Sequence, residues 1–206
     1  MKDMTKAPGR SGKTTVALCS GGERHTDLHG GEIPLPTLQD QAWRFTADRP
    51  WPFTPNDSTP VTWWRKLPAH AFRERERAQI GETLRHVDVL RGSDELRAAL
   101  NGDVAAAIAT ALSLMPIENI DFHTDITMTS LLRCALNGEA AAALVLAQIV
   151  GLTDLGHSLT RELSVSWIGW GFRHSTEPTK FVEAGAVVLS ALKAHESGAK
   201  TDYFSD

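Results

Sequence analysis

Cysteine is scarce in this chain of 206 residues, and the two present, Cys19 and Cys134, are too few for a disulfide framework. Cys134 sits in an alanine-rich, helix-favouring stretch, which points to a buried thiol in a reducing compartment, so a cytoplasmic protein is expected. An excess of one charge is also missing. The formal net charge is −4, which removes any overall electrostatic case for nucleic acid. Long apolar runs are absent too: the most apolar stretch, residues 140–152, is broken by Gln148 and Gly151 and falls short of the roughly 20 residues of a membrane span. The polar opening MKDMTKAPGRSGKTT lacks the apolar core of a secretory signal. No membrane association is expected.

Catalytic signatures are equally thin. There is no Gly-x-Ser-x-Gly elbow, no His-Glu-x-x-His, no Cys-x-x-Cys and no glycine-rich dinucleotide loop. Residues 7–14, APGRSGKT, match a relaxed phosphate loop, but neither a preceding strand nor a following helix can form around them to hold the backbone N–H groups. Cys19, His25 and His29 supply three metal ligands where a structural site takes four. Glu118, Asp121, His123 and Asp125 alternate as in a calcium loop, yet Ile126 and Leu132 stand where that loop needs glycine and glutamate. His157, Ser158, His174 and Glu177 lie near predicted helix ends and could gather around Trp167 and Trp170, although the helix dipole alone favours histidines there. Accordingly no catalytic residue, cofactor or metal site is assigned.

What the chain does possess is a repeat. Residues 96–107 read LRAALNGDVAAA and residues 132–143 read LRCALNGEAAAA, with nine of twelve positions identical at a spacing of 36. Each copy predicts a helix, a tight turn at Asn101-Gly102 or Asn137-Gly138, an acid (Asp103 or Glu139) facing the next helix dipole, and an alanine-rich second helix. Small alanines let the two backbones approach closely. A period in this range, with one helical pair per unit, marks stacked helical arrays. The expected fold is all-α, built from stacked antiparallel hairpins in a short solenoid-like or irregular helical domain behind an extended, partly disordered N-terminal segment.

Two families share these residues in part. Thr129-Ser130-Leu131-Leu132 followed by Cys134-Ala135-Leu136-Asn137-Gly138 resembles the ankyrin pattern, in which Thr-Pro-Leu-His leads to Ala-Ala and then Asn-Gly. Ser130 replaces the proline and Leu132 the histidine, and the first copy has Asp94, Glu95 and Leu96 at the equivalent places. Ala135, Gly138, Ala140 and Ala142, with Leu146 and Ala147 at the Leu-Gly position, are similar to Sel1-like repeats. Either resemblance covers two units and implies a scaffold that offers a face to partner proteins. An irregular helical domain with one duplicated hairpin is the alternative.

The remaining organisation follows composition. Residues 1 to about 60 are rich in glycine, proline, threonine and aspartate; residues 1–35 read as a disordered or flexible tail, and residues 36–68 as an extended Trp/Pro strap holding Trp43, Phe45, Trp51, Phe53, Trp63 and Trp64. Residues 69–198 form the helical region, and residues 199–206 a second flexible tail. A first helix begins at Ala69 with Phe72, Ile80, Leu84, Val87, Val89 and Leu90 on one stripe, while residues 65–91 carry a net charge of +3. The helix over residues 139–150 is apolar nearly all round and must be covered by residues 158–172 and by a helix opened by Pro178, a candidate third hairpin.

These features predict a non-enzymatic protein–protein interaction or adaptor module, its partner another protein. The alternative is a nucleic-acid-associated regulator using the Arg-bearing helix over residues 69–91 and the Trp/Pro strap, and an enzyme of unknown class stands third. Trp43, Trp51, Trp63, Trp64, Arg73 and Arg77 are the expected partner-binding residues. The strap has two uses open to it, completing its own domain's core or docking on another protein.

Overall fold

The computed structural model describes residues 50–87 and 93–202, with side chains followed as far as residue 197. The phosphate-loop match, the group of Cys19, His25 and His29, Trp43, the tail over residues 1–35, and Val89 and Leu90 lie outside the described residues. Among the described residues the chain is all-α. Three 3₁₀ turns, η1 (Pro55–Asp57), η2 (Pro60–Arg65) and η3 (Ala69–Ala71), lead into α1 (Glu74–Arg85). Six helices follow: α2 (Asp94–Leu100), α3 (Val104–Ser113), α4 (Phe122–Leu136), α5 (Ala140–Leu152), α6 (Thr160–His174) and α7 (Pro178–Asp202).

Both copies of the repeat fold alike. Helix α2 ends at Asn101 and Gly102 takes φ 97°; α4 ends at Asn137 and Gly138 takes φ 96°. In the first turn Gly102 N–H donates to Ala99 O and Asp103 N–H to Ala98 O, both at 3.0 Å. The second turn repeats this with Gly138 on Ala135 O at 3.0 Å and Glu139 on Cys134 O at 3.3 Å. A left-handed glycine followed by these two bonds is the closure that satisfies a helix's last carbonyls. The acids differ. Asp103 caps α3 by accepting from Ala106 N–H at 2.8 Å, whereas Glu139, one methylene longer, makes no side-chain cap to α5.

A third hairpin keeps the spacing without the letters. The first helices of the three pairs end at Leu100, Leu136 and His174, and the second helices begin at Val104, Ala140 and Pro178, steps of 36 and then 38 residues. Pro178, whose missing N–H is no loss at a first helical position, opens α7 where the earlier units use Asn-Gly. Helix α2 packs against α4, α3 against α5 and α5 against α7, while α6 packs mainly on α5 and meets the end of α4 through Trp170 Nε1–H on Ala135 O. The uncharged α5 packs on α3, α4, α6 and α7, which explains how an apolar helix is kept from water. Helix α7 continues past Gly198 to Asp202, beyond the boundary expected from sequence, because an interior glycine weakens a helix by only about 1 kcal/mol and no proline follows.

The strap is neither fully extended nor free. Pro55 and Pro60 each open a 3₁₀ turn, the one helical position that tolerates proline, so the extended backbone expected over this segment is corrected to two short turns. Helix α1 likewise starts at Glu74 rather than Ala69. Phe72 and Arg73 are extended, and this step turns the Phe72 ring into the core between Trp63, at 6.1 Å, and Trp167, at 5.8 Å. Turn η2 and helix α1 pack on α4, and η3 packs on α6, forming a third layer.

Beneath this layer α4 is buried from Thr124 to Leu132 although five of those nine side chains are polar. Asp125 accepts from Trp64 Nε1 at 2.8 Å and from Arg65 Nη2 at 3.0 Å. Thr129 Oγ1 lies 2.9 Å from Val61 O and 2.6 Å from Asp125 O, and Ser166 Oγ accepts from Ala69 N–H at 2.7 Å.

Replacing Gly138 or Gly102 with alanine is expected to cost about 1–2 kcal/mol in denaturant unfolding, the penalty of a left-handed L-residue. Gly138→Ala should cost more, since its new methyl would sit 3.3 Å from the His174 ring, against an ordinary contact of 3.9 Å with the Arg133 guanidinium at Gly102. Asp125→Ala, which strands a buried indole N–H and a half-buried guanidinium, should cost about 3–5 kcal/mol. An equal and small loss at both Asp125 and a surface acid such as Glu95 would contradict this account of the strap.

Candidate functional site

The ends of α1, α2, α4 and α6 share one edge of the stack, and that edge is where arginine collects. Arg85, Arg97 and Arg133 each occupy the last turn of their helix, and Arg173 and His174 that of α6. Carbonyls left unpaired at a helix C-terminus carry partial negative charge, so cations are favoured there on structural grounds alone. Arg133 makes this concrete by donating from Nη1 to Leu100 O, the end of the neighbouring α2, at 3.1 Å.

Arg97 holds the same place in the repeat as Arg133, but among the described residues no helical hairpin precedes its unit. Its guanidinium turns instead to Asp94, at 2.6 Å on its own helix. Between the ends of α1 and α2 and the last turn of α4 a cavity of about 440 Å³ opens, lined by Leu84, Arg85, Val87, Arg97, Leu100, Asn101 and Arg133. Leu84 and Leu100 are buried and Val87 is half-buried, forming an apolar floor. The three guanidiniums stand around it: Arg85 held by Glu82 at 2.7 Å, Arg97 by Asp94, Arg133 by a carbonyl.

A second basic group lies farther along α1. Arg77 places its guanidinium carbon 5.1 Å from the Trp170 ring centroid and Arg173 places its own at 5.6 Å, while the His174 ring stacks on the same indole at 4.3 Å. Trp170 is fixed by Nε1–H donating to Ala135 O at 2.8 Å. His70 has its pKa lowered from 6.5, first by partial burial of the ring and then by the charge of Arg173.

The residues singled out from sequence fare unequally. Trp63 and Trp64, expected at a partner surface, are 2% and 0% exposed, so both are corrected to core residues, their indoles consumed by Ser58 O and Asp125. Trp51 is half-buried with Nε1–H donating to Lys66 O at 2.7 Å. Arg73 is exposed and its backbone N–H donates to Glu76 at 2.9 Å as α1 begins; Arg77 lies on Trp170. Asn101 and Asn137 end their helices and Gly102 and Gly138 turn the chain, as the repeat implied.

The other polar groups are spent separately. Asp121 caps α4 by accepting the Thr124 N–H and hydroxyl, which hold its carboxyl below the usual range, while Asp125 belongs to the strap. His157 Nε2 lies 2.7 Å from Arg65 O and its ring packs on Phe53, apart from His174 on Trp170, so the two histidines serve different places. Among the described residues no three of His, Cys, Asp and Glu are grouped to hold a metal, and no helix is long and apolar enough to cross a membrane. Sequence reasoning missed Arg85, Arg97 and Arg133 as a site; of the residues it grouped around Trp170, His174 stacks on that ring. The available signal was Arg97 and Arg133 at identical repeat positions.

Because the folded chain holds His70 below 6.5, the unfolded chain takes up that proton first as pH falls. Its contribution to stability is therefore present above about pH 6.5 and lost below it. Arg173→Gln is expected to raise the His70 pKa in an NMR titration; an unchanged value would separate the two groups. No family model, no curated protein and no solved structure matches the chain.

Proposed function

We propose that the chain is a non-enzymatic interaction module that receives, in the groove bounded by α1, α2 and α4, an apolar segment of a partner protein ending in negative charge. The observation that carries this is the groove's make-up: a floor of Leu84, Val87 and Leu100 within a rim of three guanidiniums. An apolar floor favours burial of an apolar side chain, and guanidinium forks favour carboxylates or the carbonyl end of a helix. Arg133 on Leu100 O is the pattern inside the molecule, and Arg97 offers the same fork where the partner would enter. Acid–base catalysis needs a group that titrates near neutrality, and none of the lining side chains is of that kind. The helical-repeat families that the Asn-Gly turns resemble fit this reading, as does a cytoplasmic setting, since burial pushes the Cys134 thiol upward and keeps it protonated.

A nucleic-acid partner is the second reading, favoured by the run of Arg85, Arg97, Arg133 and Arg173 along the helix ends. Burial of Trp63 and Trp64 takes two of the strap's tryptophans out of any stacking role in that reading.

Affinity capture from native lysate with the full chain and with Arg97→Glu tests the module. The expected result is one stoichiometric protein that the native chain retains, that rising salt releases, and that the variant recovers at least about tenfold less well. Equal recovery by a variant with native melting behaviour would refute the groove. Recovery of nucleic acid that salt removes would favour the second reading.

A further inference from the structure

The connection between α3 and α4 carries the chemistry that the arginine groove asks for. From Leu112 to Ile126 the chain holds Glu118, Asp121 and Asp125 but no lysine or arginine. Met115, Ile117 and Ile120 are half-buried and pack on the core, so the connection is held in place. Leu112 and Phe122, at its two ends, are instead 42% and 66% exposed. Asp121 fixes Phe122 at the first position of α4 by taking the Thr124 N–H and hydroxyl on Oδ1, with Oδ2 unengaged among the described residues. Glu118 is exposed and, among the described residues, enters no hydrogen bond or ion pair. An aromatic ring already held in position loses little entropy on docking.

The groove is the complement of this connection in both charge and polarity. Its floor of Leu84, Val87 and Leu100 accepts an apolar ring, and about 440 Å³ gives that ring room. Its rim of Arg85, Arg97 and Arg133 faces incoming carboxylates with guanidinium forks, and Arg97 spends only Nη1 on Asp94. One molecule cannot join its own two surfaces. Phe122 starts α4 and Arg133 lies in its last turn, so most of a 15-residue helix, roughly 16 Å at about 1.5 Å per residue, stands between them. The net charge of −4 is too small to hold two copies apart.

We infer that the groove's occupant is a second copy of this chain, which seats Phe122 on the apolar floor and sets Glu118 and Asp121 against the arginine rim. This rests on the groove being a docking site and names what docks there. The contact is head to tail, because the two surfaces differ and lie at opposite ends of α4. Every pair therefore leaves one groove and one α3–α4 connection unfilled, and assembly continues to a closed ring or an open row.

Sedimentation velocity of the full chain over a concentration series tests this. Species larger than the monomer are expected to grow with concentration and to recede as salt rises. Phe122→Ser and Arg97→Glu, both at exposed positions, should each raise the concentration needed for association at least about tenfold, the scale of losing an interface anchor. An equimolar mixture of the two variants should associate again and stop at a pair, because the surfaces left over are the two damaged ones. A mixture that stays monomeric, with both variants melting like the native chain, would overturn the proposal, as would association that either variant leaves undiminished. A native chain that is monomeric at every concentration would also overturn it. The groove reading then stands if Arg97→Glu still loses the protein captured from lysate, and falls as well if capture is unchanged.

Discussion

One buried carboxylate joins the two halves of this protein. Asp125, in the first turn of α4, faces the interior and takes the Trp64 indole and the Arg65 guanidinium from η2. An ionised carboxylate shut away from water is strongly unfavourable without such partners. The strap must therefore close over α4, and Asp125 sets where it does so. The Thr129 hydroxyl beside Val61 O and the Ser166 hydroxyl on Ala69 N–H extend the same register, so polar groups fix the position while Trp63, Trp64 and Phe72 supply the apolar area. Apolar packing alone is non-directional and would leave the strap several places to lie.

That closure decides which surfaces remain for other molecules. In a bare stack of hairpins the outer faces of α4 and α6 would be open. Here η2 and α1 cover α4, and η3 covers α6. What remains open is the edge of helix ends, where the Leu84–Arg85 end of α1 leaves the groove above α2 and where Arg77 reaches Trp170. The strap's tryptophans thus act on function indirectly, by placing α1 across that edge.

How much of this could be read from residues depended on whether the information was local. Asn101-Gly102 and Asn137-Gly138 carry their own conformation, because a left-handed turn selects glycine whatever surrounds it. The apolar run of α5 announced its burial in the same way. By contrast, Thr124, Asp125, Thr127, Thr129 and Ser130 look solvated in sequence, and their burial follows from a segment some 60 residues away that sequence does not place beside them. The aromatic strap was ambiguous for the same reason: tryptophans that complete a core and tryptophans that wait for a partner have the same composition. Trp170 stood out in sequence only as a centre for histidines of its own hairpin, and Arg77, which lies on its ring, belongs to another element.

Arginines at the helix ends stand between structure and function, and comparing equivalent positions separates the two. Arg133 is fully accounted for by the fold: it lies at the end of a helix and donates to the end of the neighbouring one. Arg97 has the same sequence context, but among the described residues no hairpin precedes it, and it settles on an exposed i,i+3 partner worth only about a few tenths of a kcal/mol. A fold needs the first kind of arginine. The second is a copy whose structural task meets no object among the described residues. Arg77 differs from both, because it is no helix-end residue of its own element: its guanidinium lies on the Trp170 indole, and among the described residues it enters no ion pair. Helix dipoles explain why cations are tolerated along this edge, and the indole face gives Arg77 a place that no dipole supplies.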